Sequence, residues 1–175
     1  MSAGVICFSH GQESGPWGTK IRAMAEVSRT QGWQVESLDY QGMQDPLARV
    51  DKLVSWCEGC AGSPVLVGSS MGGYVALAAA ARIPARGLFL LAPALYMPGY
   101  QDYMPEPPAC PTTIVHGWRD DIVPCEGSLR YGRETRARLL LVDGDHRLTA
   151  NIDEINRLLT GFLDELVAQA GAQES

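Results

Sequence analysis

The chain has 175 residues, 46% of them hydrophobic and 19% charged, with a formal net charge of -6. This suits one globular domain spanning residues 1–175, large enough to bury a core without disulfide or metal staples. An acidic chain without a basic stripe argues against a nucleic-acid partner, and Val65 to Leu91, the longest apolar stretch, is broken by the Gly68–Gly72 elbow, Arg82, Pro84 and Arg86, so no membrane span is expected.

Met1 to Ser9 has no charged leader and enters an apolar run at once, which points to a cytoplasmic protein without a signal peptide. Val5 to Phe8 reads as a strand, Trp17 to Thr30 as a helix, Gln34 to Leu38 as a strand and Asp45 to Cys60 as a helix. A strand at Val65, a helix from Met71 to Arg82 and a strand from Gly87 to Leu91 follow. Ala92 to Pro111 carries six prolines, which excludes a helix and predicts an extended loop. Beyond it come a strand at Thr112 to Val115, a helix at Glu126 to Thr135, a strand at Arg138 to Val142 and an amphipathic helix at Ile152 to Ala168. Continuous apolar strands alternating with helices predict an α/β fold with a parallel sheet covered on both faces. Functional groups are then expected at the carboxyl ends of the strands.

Gly68-Ser69-Ser70-Met71-Gly72 is a G-x-S-x-G sequence between an apolar strand and an alanine-rich helix, and only Ser70 is bracketed by glycines. A sharp strand-to-helix turn needs those glycines, and it lifts a serine hydroxyl above the sheet edge. Ser70 is therefore the candidate nucleophile, and the Met71 N–H a donor to a developing oxyanion. The three histidines are expected just after strands. His146, in the turn Asp143-Gly144-Asp145-His146, is the candidate general base. Asp120, after the preceding strand, is the acid that would orient its ring, with Asp121 as runner-up and Asp143 and Asp145 less suited because they share the histidine's own turn. Gln12, in Ser9-His10-Gly11-Gln12, is placed to give the second oxyanion N–H. His10 and His116 read as loop anchors. Tyr96, Met97, Tyr100, Tyr103 and Met104 are candidates for a soft apolar wall over an acyl pocket. Together these residues predict a serine hydrolase that cleaves small-molecule carboxylic esters or thioesters through an acyl-enzyme, with no metal or cofactor.

Two other readings compete. Trp56-Cys57-Glu58-Gly59-Cys60 imitates a dithiol redox motif, but it stands at a helix end, where the dipole disfavours a thiolate. The same fold could also serve as a non-catalytic module binding a small molecule or a protein. The sequence is silent on oligomeric state.

His10-Gly11, Gly68-Ser69-Ser70-Met71-Gly72-Gly73, His116-Gly117-x-x-Asp120-x-x-Val123-Pro124 and Asp145-His146, in this order, resemble the α/β-hydrolase superfamily over essentially the whole chain. Gly18-Thr19-Lys20, Asp39-Tyr40-x-Gly42 and Asp145-His146-Arg147 are similar to thioesterases and acyl-glucuronide esterases of the alpha/beta hydrolase domain-containing protein 10 type. The Gly-Ser-Ser-x-Gly-Gly-Tyr elbow is shared with small YqiA-like bacterial esterases. The resemblance implies Ser70, Asp120 and His146 as the triad and Gln12 and Met71 as oxyanion donors. It also implies an α/β-hydrolase fold of minimal form, with about six parallel strands, helices on both faces and a short lid loop in place of a helical cap. The resemblance further implies a sheet without the two strands that precede the strand leading into His10-Gly11 in the full eight-stranded fold.

Overall fold

Runs such as Val65-Leu66-Val67 and Leu88-Phe89-Leu90-Leu91 have no polar face to offer water, so they fold only where both sides of a sheet are covered. The computed structural model, which describes residues 2–99 and 104–173, builds six such strands. They are β1 (Val5–Ser9), β2 (Gln34–Leu38), β3 (Val65–Ser69), β4 (Gly87–Leu91), β5 (Thr112–Gly117) and β6 (Arg138–Val142). Between and after them come α1 (Thr19–Thr30), α2 (Pro46–Glu58), α3 (Met71–Ala80), α4 (Glu126–Thr135) and α5 (Ile152–Gln173). The sheet order is β2-β1-β3-β4-β5-β6, and every neighbouring pair is parallel.

Strand alternation divides the core in two. Cys7, Leu66, Leu88, Leu90 and Ile114 face α2, α3 and Tyr131 of α4. Ile6, Phe8, Val65, Val67, Phe89, Leu91 and Val115 face Ile21 and Met24 of α1 and Leu159, Phe162 and Leu166 of α5. The helix α3 is buried all round, which its composition Tyr74-Val-Ala-Leu-Ala-Ala-Ala permits. The chain runs outward from β1 to β2 and then returns to the other side of β1 as β3. The strand order thus reverses between β1 and β3, and their carboxyl ends open a crevice there.

Several boundaries differ from the sequence expectation for local reasons. The helix α1 begins at Thr19 because Gly18 is still extended. Asp45 caps α2 by accepting the Leu47 N–H at 3.0 Å, with Pro46 in the first turn where its missing N–H costs nothing. The strand β5 continues through His116 and Gly117, which pair with Leu141 and Val142. His116 therefore lies inside a strand, not after it as the sequence suggested. No helix among the described residues is long and apolar enough to cross a membrane.

The elbow at β3 is crowded by backbone alone. A Cβ on Gly68 would strike the Gly72 carbonyl, and one on Gly72 would strike the Ser9 carbonyl. Neither obstacle is a flexible side chain. Gly72→Ala should therefore lower stability by at least about 2 kcal/mol in urea denaturation. Gly161→Ala, on the exposed face of α5 with nothing within 4 Å, should instead gain up to about 1 kcal/mol through helix propensity.

Candidate active site

The tight passage from β3 to α3 fixes Ser70 at φ 57°, ψ -121°, a left-handed backbone that a serine adopts only under constraint. Its N–H donates to the Leu91 carbonyl at 3.0 Å, and its own carbonyl accepts the N–H groups of Gly73, Ala94 and Tyr74 at 3.0, 2.9 and 3.3 Å. With its backbone committed on both sides, the side chain projects at the carboxyl edge of the sheet.

His146 follows β6 and comes within 3.1 Å of Ser70 Oγ through its Nε2. Its Nδ1 lies 2.7 Å from Asp120 Oδ2. The carboxylate leaves one consistent arrangement of protons: Nδ1–H donates to Asp120, and Nε2 accepts the Ser70 hydroxyl. Asp121 and Asp143 lie elsewhere, the first exposed and the second paired with Arg119 at 2.6 Å. Asp145 accepts the Leu148 N–H at 3.0 Å and so shapes the histidine turn.

Asp120 is held from four directions. Its Oδ2 takes hydrogen bonds from His146 and from His116 Nε2 at 3.1 Å, and its Oδ1 takes the N–H groups of Ile122 and Val123 at 3.0 and 2.8 Å. Burial alone would raise its pKa, but the His146 hydrogen bond and those two N–H groups outweigh it and carry the carboxyl below its ordinary value. His116 is fully buried; its Nε2–H is shared with the Val123 carbonyl at 2.8 Å, while Nδ1 accepts the Ser128 hydroxyl at 2.8 Å. Burial depresses its pKa, so this imidazole is neutral.

The loop after β1 is equally constrained. His10 Nδ1 donates to the Gly11 carbonyl and its Nε2 accepts the Tyr40 N–H, each at 2.8 Å, which keeps this buried ring neutral, with its pKa also lowered by desolvation. Arg49, 2% exposed on the inner face of α2, donates to the carbonyls of His10 and Gly11 at 3.2 Å. A peptide is planar and trans, so fixing the Gly11 carbonyl turns the Gln12 N–H the opposite way; fixing the Ser70 carbonyl does the same for Met71. Neither N–H meets an acceptor among the described residues. Sequence reasoning missed Arg49, whose only signal was a lone arginine on an otherwise apolar helix face.

Of the proposed acyl wall, Tyr96 is pinned to α4: its hydroxyl donates to Glu134 at 2.7 Å and Arg130 stacks on its ring at 4.0 Å. Met97 is half-buried, and Met104 packs against the core on the α2–α3 face. Tyr100 and Tyr103 lie outside the described residues. Trp118 and Ile122, exposed on the segment that carries Asp120, add apolar surface that the sequence did not single out. A hollow lined by Pro84, Arg86, Pro107, Cys110 and Leu166 lies at the opposite, amino end of β4 and β5. Cys57 and Cys60 are unpaired; burial pushes the Cys57 thiol up to about 12 and also raises Cys60, the reverse of a reactive dithiol.

The sequence profile of the alpha/beta hydrolase family matches residues 5–172. The chain belongs to this family. A Xanthomonas campestris pv. campestris protein assigned to the α/β hydrolase superfamily is 33% identical, with 94% of this chain and 99% of that one covered and a TM-score of 0.86. Mouse alpha/beta hydrolase domain-containing protein 10 is 21% identical over 93% of this chain and 90% of its own, with a TM-score of 0.74. Est1E from Butyrivibrio proteoclasticus shares the fold at 17% identity, covering 95% and 89%, with a TM-score of 0.80. No curated protein matches the chain. The six parallel strands and flanking helices of this α/β hydrolase agree with the fold that the sequence implied.

The buried histidines set the acid response of this α/β hydrolase. His10 and His116 have folded pKa values below the unfolded value, so the unfolded chain binds protons first as pH falls. Their stabilising contribution is complete above about pH 6.5 and is lost below it. Asp120, also depressed, adds a further loss below its unfolded value near pH 4. Urea unfolding should show stability falling from pH 7.5 to 5, with a shallower slope in His10→Asn.

Proposed function

We propose that this α/β hydrolase cleaves carboxylic esters or thioesters through an acyl-enzyme on Ser70. The observation that carries the reading is the continuous hydrogen-bonded chain from Ser70 through His146 to Asp120, at 3.1 and 2.7 Å. In the first half-reaction His146 Nε2 takes the hydroxyl proton as Ser70 Oγ attacks the acyl carbon. Asp120, kept ionised by its four donors, stabilises the imidazolium that forms. The negative charge that gathers on the carbonyl oxygen is received by the N–H groups of Gln12 and Met71, whose orientation is fixed before substrate arrives. Collapse of the tetrahedral species releases the alcohol or thiol with the proton from His146. Water then repeats the sequence against the acyl-enzyme and frees the acid.

The residues 1–175 act in this reading as one domain. Met97 and Tyr100 are assigned to the acyl side of the site, with Tyr96 as a post anchored to α4. Five cysteines without a disulfide among them support a reducing, cytoplasmic setting.

Treatment with a fluorophosphonate probe should label the wild type and leave Ser70→Ala unlabelled. The same substitution should lower kcat on p-nitrophenyl esters and acyl thioesters by roughly 10^4-fold or more. A folded wild type that neither labels nor turns over any member of a chain-length series would overturn the assignment in favour of a binding module.

His116 enters as a positioning residue for Asp120. His116→Phe should cut kcat about tenfold while KM changes little, and His116→Gln, which can still donate toward Val123 and Asp120, should recover part of the loss. Parallel losses in both variants would reduce His116 to a core residue.

A further inference from the structure

Lys20 is a half-buried cation at the carboxyl edge of the sheet for which the reaction above has no use. It projects from the first turn of α1, and its Nζ donates to the hydroxyl of Ser69 at 3.1 Å. Ser69 immediately precedes the nucleophile. A hydroxyl satisfies one ammonium proton and neutralises no charge, and no carboxylate among the described residues lies within ion-pair distance of this nitrogen. Burial pulls the Lys20 pKa down to about 8; Asp120 and Asp145 act in the opposite direction, and Arg147 acts with burial. The contact with Ser69, the last residue of β3, places the ammonium one residue from Ser70 at the carboxyl end of that strand.

Both acids are held by other donors and act on the ammonium through space, without a direct ion pair. Asp120 is saturated by His146, His116 and two backbone N–H groups, and Asp145 accepts the Leu148 N–H. Arg147, the residue after His146, is exposed and brings a second positive charge to the same side. Leaving an ammonium partly out of water without a direct ion pair costs free energy that Asp120 and Asp145 offset only in part, and an anion delivered by a ligand would recover more of it.

We propose that Lys20 is a specificity-determining residue that binds a carboxylate carried by the substrate, so that the preferred ester or thioester is an acidic one. The inference rests on the hydrolase reading only in naming the ligand an ester. Two of the three ammonium protons remain for the carboxylate after Ser69 takes the first. Arg147 adds longer-range attraction for the same group.

The test is equilibrium binding to Ser70→Ala, which holds an ester without turning it over. Calorimetric Kd values would be compared for 3-carboxyphenyl butyrate against phenyl butyrate, which place the charge on the leaving group, and for mono-p-nitrophenyl succinate against p-nitrophenyl valerate, which place it on the acyl group. At least one acidic ester should bind about tenfold tighter than its neutral partner. Which pair discriminates identifies the end of the substrate that Lys20 meets. The preference should vanish in Ser70→Ala/Lys20→Met and persist in Ser70→Ala/Lys20→Arg. Equal affinities in both pairs, a comparison that needs no change at Lys20, would overturn the proposal, as would a preference that survives Lys20→Met. Turnover of the neutral esters by wild type reports separately on the hydrolase reading.

Discussion

The contact on which the site depends is backbone against backbone at the β3–α3 elbow. With Gly68 and Gly72 bare, α3 descends directly onto the ends of β1 and β3, close to the Ser9 carbonyl. That approach holds Ser70 in a left-handed conformation and commits its carbonyl to three N–H groups. The energy stored in such a backbone is of the order of 1–3 kcal/mol. It is offset by the apolar surface that α3 buries against the sheet on every side. A stable core is thus the physical condition for an oriented, half-buried hydroxyl.

Around that elbow, orientation is achieved by holding carbonyls and carboxylates so that the groups opposite them are free. Arg49 and His10 grip the Gly11 carbonyl, and Gly73, Tyr74 and Ala94 grip that of Ser70. The result is a pair of N–H groups in fixed directions that meet no acceptor among the described residues. On the other side, His116 and Ser128 form a buried polar relay from α4 to Asp120, so the acid is set by the interior of the protein as much as by His146. Low local dielectric strengthens each of these bonds and makes loss of any one member costly.

Much of this was legible in the chain. The strand Gly87 to Leu91 is an apolar run bounded by Pro84 and the proline-rich segment from Pro93, and the structure gives it the same limits. The symmetric glycines single out Ser70 in the sequence, and the structure brings it, with Asp120 and not Asp121, into hydrogen-bond range of His146. What could not be read were partnerships between remote residues: Arg49 with the loop at His10, Lys20 with Ser69, and His116 with Asp120 once β5 is seen to extend through Gly117. Helix and strand periodicity report which face is apolar, and they carry no information about which polar group on one element meets which on another. The assignment of Tyr96 as part of an acyl wall missed its engagement by Glu134 and Arg130 for that reason.

The connection between β4 and β5 lies between strands that carry or adjoin Ser70 and Asp120, yet none of the three hydrogen-bonded residues comes from it. Its first residues are tied down, since Ala94 donates to the Ser70 carbonyl; beyond Tyr96 the described part has no helix or strand of its own. Changes of length or composition after that anchor would leave Ser70, His146 and Asp120 on independent supports. The segment is therefore where such a small scaffold can diversify.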